Sequence, residues 1–287
     1  MLPELIADTD CQTGENPLWH PLEGRVYWVD IPAGRLFRYD PVSGRHEMCF
    51  QANEAIGGFT VQADGALLLF MARGAICIWR EGRPLETVVA EIAVEREGRF
   101  NDVIADPEGR VFCGTMPVGE RLGRLYRLDP DGTLTMLLDG IGCSNGMGFT
   151  PDRRHMYYTD SPRHEIYVFD YDAATGALSN QRVFVRTPET GGFPDGLTVD
   201  AEGYVWSARW DGGCLVRYAP DGREVLSVKF PARKVSSVIF GGPDYRDIYV
   251  TTANQEGRER EGPGAGALFR LRLGIQGVPE FFSRVWL

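Results

Sequence analysis

Apolar and polar positions along the chain alternate with a period of two, in short runs that end at glycine. The first clear unit reads Arg25-Val26-Tyr27-Trp28-Val29-Asp30, a turn at Ala33-Gly34, then Arg35-Leu36-Phe37-Arg38-Tyr39-Asp40. Two β-rich runs joined by a glycine turn predict a hairpin. Comparable hairpins start after Gly65 (Ala66 to Met71, Ala75 to Arg80), Gly109 (Arg110 to Thr115, Arg124 to Leu128) and Arg154 (His155 to Asp160, Glu165 to Asp170). Two more start after Gly203 (Tyr204 to Ala208, Cys214 to Tyr218) and Asp247 (Ile248 to Thr252, Ala267 to Leu271). The starts at 24, 65, 109, 154, 203 and 247 are 41, 44, 45, 49 and 44 residues apart, which is the length of one four-stranded propeller blade.

Several copies close with a second turn, such as Asp129-Pro130-Asp131-Gly132 and Ala219-Pro220-Asp221-Gly222, where proline and Asp-Gly supply the dihedrals a tight turn needs. No stretch sustains a 3.6-residue apolar period, so helices should be few and short. The expected architecture is all-β: a six-bladed β-propeller of four-stranded antiparallel blades around a central channel, with residues 1–287 forming a single domain. A propeller has to close its ring, because an unpaired edge strand invites aggregation. The N-terminal segment, Met1 to Ala7, is expected to supply the outer strand of the last blade.

Composition narrows the function. A net charge of −10 and a pI near 5.0 leave no basic face for phosphates, so nucleic acid is not an expected partner. No apolar run approaches the roughly 18 residues of a membrane helix, and the N-terminus lacks the basic start and apolar stretch of a signal peptide. The chain therefore reads as cytoplasmic, with no membrane partner. The six cysteines lie far apart without a C-x-x-C pair, and are expected to be reduced and mostly buried. None of the four histidines has i,i+4 spacing or a place in the repeat, which disfavours histidine-bound zinc.

In a propeller the first strand of each blade lines the channel, with its leading residues at one mouth. Counting back eight or nine positions from the hairpin starts gives Glu15, Asn101, Asn145 and Asp195; the second copy offers Gly57-Gly58 and the sixth, ten or eleven positions back, Ser236-Ser237. Taken singly, Asn145 and Asp195 before glycine are ordinary turn formers and Glu15 is a solvated loop residue. Registered to the repeat, they form a ring of oxygen donors suited to a hard cation. Asp30, Asp40, Asp160 and Asp170, at strand ends, read as structural hydrogen-bonders, and Trp19, Trp28, Trp79 and Trp206 as inter-blade packing. No Gly-x-Ser-x-Gly elbow is present, and Gly262-Pro263-Gly264-Ala265-Gly266 reads as a loop rather than a phosphate cradle.

A series of short motifs now gains weight from its order. Gly14-Glu15-Asn16-Pro17-Leu18-Trp19, Arg99-Phe100-Asn101-Asp102, Gly114-Thr115-Met116, Ser144-Asn145-Gly146, Pro194-Asp195-Gly196 and Phe240-Gly241-Gly242 follow one another along nearly the whole chain. In this order they resemble the senescence marker protein/gluconolactonase family, the regucalcin-like sugar lactonases. The resemblance implies a six-bladed propeller that hydrolyses an aldono-1,4- or 1,5-lactone, such as gluconolactone or xylonolactone. It further implies one divalent metal ion (calcium, zinc, manganese, magnesium or iron(II)) held by Glu15, Asn145 and Asp195. Asp195 would double as general base, and Arg99 and Asn101 would hold the hydroxyls of the small-molecule sugar lactone. The family also uses a glutamate shortly after the Gly-Thr-Met run; Glu120 stands one place from it and is the expected third substrate contact. Two rivals remain: a metal-dependent esterase or organophosphate hydrolase of paraoxonase-like type, and a non-catalytic calcium-binding or protein-binding propeller.

Overall fold

A computed structural model describes residues 2–287, and its strands group into six four-stranded antiparallel sheets. Ordered from the axis outward, the first runs through Gly14–His20, Arg25–Asp30, Arg35–Asp40 and Arg45–Gln51. The next four begin at the axis with Ile56–Val61, Phe100–Ala105, Ser144–Phe149 and Phe193–Val199. The sixth takes Val235–Gly241, Asp247–Thr252 and Ala267–Leu271 from the C-terminal part of the chain and Glu4–Asp8 from the N-terminal part as its outer strand. That pairing closes the ring as expected from the sequence; Met1 lies outside the described residues. Four-residue Arg258–Glu261 is the one α-helix among the described residues, beside three single 3₁₀ turns.

Turn chemistry explains why strands stop where they do. Gly24, Gly34 and Gly44 all have φ between 61° and 70° in the first blade, a region a side chain adopts only with strain. The first two strands of each blade are buried along most of both faces because another blade packs on each side. Leu67–Met71 and Ile248–Thr252 are buried at every residue, whereas outer strands such as Arg45–Gln51 are exposed along most of their length. Trp19 stacks on Tyr249 with ring centroids 6.5 Å apart, joining blades one and six, and Trp206 meets Phe240 edge-on at 5.8 Å between blades five and six. Asp30 and Asp160 are fully buried acceptors for loop N–H groups: Thr13 for the first, Gly142 and Cys143 for the second.

The inner strands approach one another closely. A Cβ on Gly57 would sit 2.0 Å from the Phe100 carbonyl oxygen, one on Gly146 would sit 2.3 Å from the Leu197 nitrogen, and one on Gly196 would sit 2.1 Å from Ser237 Oγ. Gly146 and Gly196 are thus required by inter-strand contact, not by a turn: both lie inside strands, with no left-handed φ. This corrects the turn-former reading of Asn145-Gly146 and Asp195-Gly196, since the residue ahead of each glycine belongs to the channel wall. At the opposite mouth the C-terminal segment crosses the channel, with Ser283 pairing Gln62 and Gly277 pairing Asp200.

Candidate active site

The inner strands share one irregularity that aims their leading residues. In every blade the ladder between first and second strand slips at the start of the first: between Glu15 and Leu18, Ile56 and Gly58, Phe100 and Val103, Asn145 and Met147, Pro194 and Leu197, and Val235 and Ser237. A bulge breaks strict alternation and lets successive residues turn toward the same region. Asn101 and Asp102 use it: Asn101 faces the upper cavity, whereas Asp102 lines a hollow one layer deeper on the axis. Asn16, with φ of 49°, carries the corresponding distortion in blade one and sends its Oδ1 to the Phe59 N–H at 2.6 Å.

Glu15, Arg99, Asn101, Asn145 and Asp195 all line one cavity of about 320 Å³ at the mouth of the channel. Their hydrogen bonds fix the order. Arg99 Nη1 donates to the Phe100 carbonyl at 2.8 Å and to Asn101 Oδ1 at 2.7 Å, so Asn101 presents its Nδ2 to Asn145 Oδ1 at 2.6 Å and to the Ser144 carbonyl at 2.8 Å. Asn145 in turn donates from Nδ2 to Ser161 Oγ at 2.7 Å, and Ser161 donates to the Pro194 carbonyl at 2.6 Å. Blades three, four and five are thereby linked at the level of the ring. Asn145 Oδ1 keeps one lone pair for a ligand after accepting from Asn101.

The two ring carboxylates have no such support. Glu15 Oε2 accepts from the backbone N–H of Asn16 at 3.0 Å, and neither Glu15 nor Asp195 forms an ion pair among the described residues. Burial, then repulsion from Asp102, holds the Glu15 carboxyl well above its ordinary range; burial, then repulsion from Glu15 and Asp102, does the same to Asp195. Asp102 is pushed up to about 7 by burial, opposed by the Arg99 charge, and its Oδ1 is buried without a hydrogen-bond partner. The guanidiniums nearest the carboxylates are Arg99 and the buried Arg209, which donates to Ser207 and Tyr218 and acts on Asp195 through its field. Three carboxylates against two guanidiniums leave one negative charge when all are ionised.

This donor set fits a hard divalent cation: buried carboxylate and carboxamide oxygens, an excess of negative charge, and no imidazole or thiolate among the proposed ligands. Among the described residues no three His, Cys, Asp or Glu side chains gather as a metal cluster. Cys143 lies on the cavity wall with its thiol pushed up by burial, 3.3 Å from Met116 Sδ, so it is a neutral wall residue rather than a nucleophile.

Glu120 is the expected site residue that the fold does not bring to this cavity. The 116–123 loop folds into a two-bond bridge between Val118 and Arg121, and Arg121 reaches inward to the fully buried Glu95 at 2.8 Å. Anchored by that arginine, the loop leaves Glu120 exposed at its tip. Asp102, Arg209, Ser161, Trp210 and Gln255 are the functional neighbours that sequence reasoning missed. Asp102 was signalled by standing directly after Asn101, but period-two logic assigns it to the opposite face, and only the bulge overrides that.

Residues 13–254 match the model of the SMP-30/gluconolactonase/LRE-like region. The chain belongs to this family. It is 52% identical to the pentonolactonase XacC of Haloferax volcanii, over 98% of each chain, and 32% identical to a regucalcin of Xenopus laevis, again over 98% of each. Among solved structures it resembles a calcium-binding regucalcin of Agrobacterium tumefaciens, with a TM-score of 0.91 and 25% identity, covering 99% of this chain and 97% of the other.

Proposed function

We propose that this enzyme binds one divalent cation through Glu15, Asn145 and Asp195 and hydrolyses a sugar lactone to its aldonic acid. That the chain is a lactonase rests on its family and on full-length similarity to a pentonolactonase. The observation that carries the rest is the pair of buried carboxylates, Glu15 and Asp195, lining one cavity with Asn145, neither of them in an ion pair and with the fields of Arg99 and Arg209 too weak to offset their burial. Ionising a buried carboxyl without an ion-pair partner costs several kcal/mol, and a divalent cation held between Glu15 and Asp195 would offset that cost.

The cation, when bound, supplies Lewis acidity that polarises the lactone carbonyl and makes water a better nucleophile. Asp195 accepts the proton that the attacking water gives up, since it reaches the axis from the blade opposite Ile56–Val61, where the sequence offers only Gly57-Gly58. Arg99 and Asn101 orient the substrate: Nη1 of Arg99 is committed to Phe100 and Asn101, and its remaining N–H donors are available for hydroxyls. Asn101 also fixes Asn145, so substrate orientation and ligand orientation share one hydrogen-bond chain.

The test is metal-free protein reconstituted with single divalent metals and assayed for acid release on gluconolactone, xylonolactone and an aryl ester. Turnover of the sugar lactones that requires metal and is lost in Asp195→Ala supports the proposal. Metal-independent turnover, a preference for the aryl ester, or an active Asp195→Ala variant refutes it.

A further inference from the structure

The upper cavity is chemically divided. Beside the polar ring residues, blades three to five contribute the apolar Met116, Pro162, Phe193 and Trp210 to its lining, while Thr13 and Gln255 make a polar corner next to Ile31 where blades six and one meet. Gln255 makes that corner by donating from Nε2 to Thr13 Oγ1 at 3.1 Å, with its Oε1 and second N–H left for a ligand. In a six-blade ring blade three lies across the axis from blade six, so Gln255 faces Arg99 and Asn101 from the far side of the cavity. Both halves are held in place. The 253–266 loop that carries Gln255 is pinned by the Asn254 N–H to the Cys11 carbonyl at 3.0 Å and by the fully buried Glu261 to Lys234 at 2.9 Å. Lys234 lies 5.4 Å above the Trp210 ring, so the same buried ion pair that fixes the loop backs the aromatic wall.

We propose that Gln255 is a specificity-determining residue that reads a substrate hydroxyl remote from the scissile carbonyl, while Trp210 and Phe193 take the C–H face of the sugar ring. This rests on the sugar-lactone reading above and adds to it a second hydroxyl contact, opposite Arg99. A sugar lactone has hydroxyls on its edge and C–H bonds on its face, which matches one polar corner on each side of an apolar wall.

The deciding experiment compares wild type, Gln255→Leu and Gln255→Glu on a pentono- or hexonolactone and on δ-valerolactone, which has the ring without hydroxyls. Gln255→Leu should lower kcat/KM for the sugar lactone roughly tenfold through KM, the loss of about one hydrogen bond. It should leave δ-valerolactone within about twofold, and Gln255→Glu, which retains an acceptor, should recover part of the loss. Equal loss on both substrates, or loss on neither, overturns the proposal. Calorimetric binding of the matching aldonate separates this idea from the reaction itself. If the wild type hydrolyses no lactone but binds aldonate, and Gln255→Leu weakens that binding about tenfold, the polyol corner stands and the reaction fails. Aldonate binding unchanged in Gln255→Leu, or undetectable in the wild type, overturns the corner.

Discussion

Asp102→Asn should stabilise the metal-free enzyme. Asp102 is 9% exposed, has one oxygen without any hydrogen-bond partner, and receives opposing charge only from the Arg99 field. Its carboxyl is held at about 7 in the folded chain against an ordinary 3.8. At 1.36 kcal/mol per pKa unit, that difference costs folding about 4 kcal/mol once both states are ionised. The sign follows from proton binding: between about pH 4 and pH 7 the native chain keeps a proton that the unfolded chain has lost, so stability falls as pH rises through that window and levels off above it. An amide in the same place carries no charge but still lacks a partner, which returns about 1–3 kcal/mol of the gain. The expected net stabilisation is therefore about 2 kcal/mol at pH 8, and the difference should reverse or vanish near pH 4. Urea unfolding in the presence of a chelator, at several pH values, reads this directly as a shift in midpoint at constant slope. Adding saturating calcium should narrow the gap, because a bound cation offsets the same negative charge. If Asp102→Asn proves no more stable than wild type at pH 8 without metal, the account of the axial charge cluster is wrong.

Other consequences are more direct. Asp195→Ala should lose at least about a thousandfold in kcat, because ligand and proton acceptor go together, whereas Arg99→Ala should act chiefly through KM; steady-state kinetics on a sugar lactone distinguishes them. Glu120→Ala should stay within about twofold of wild type in kcat/KM, since the side chain is exposed, while Arg121→Ala should lower the melting temperature by leaving buried Glu95 with only Tyr126 and the more distant Arg124. Removing residues 1–8 deletes the strand paired with Ala267–Leu271 and leaves an open edge, so the truncated chain should unfold at lower denaturant and aggregate, which light scattering will report.

Much of this protein is written in short-range pattern. Alternating apolar runs between positive-φ glycines set the hairpins, and their spacing set the blade count, because a strand needs only its local alternation and a turn only its glycine or proline. The registration of Glu15, Asn101, Asn145 and Asp195 to that repeat was also legible, since equivalent positions in equivalent blades reach the same axis. What local pattern does not encode is how two consecutive residues separate in depth, as Asn101 and Asp102 do through a bulge. Nor does it encode where a loop tip points. Glu120 stands outside the cavity because Arg121 is held by Glu95, which arrives from a different turn, and Gln255 reaches the cavity because ring closure sets residue 255 against residue 13. Such placements depend on contacts between residues far apart in sequence, whose energies exist only once the ring has closed.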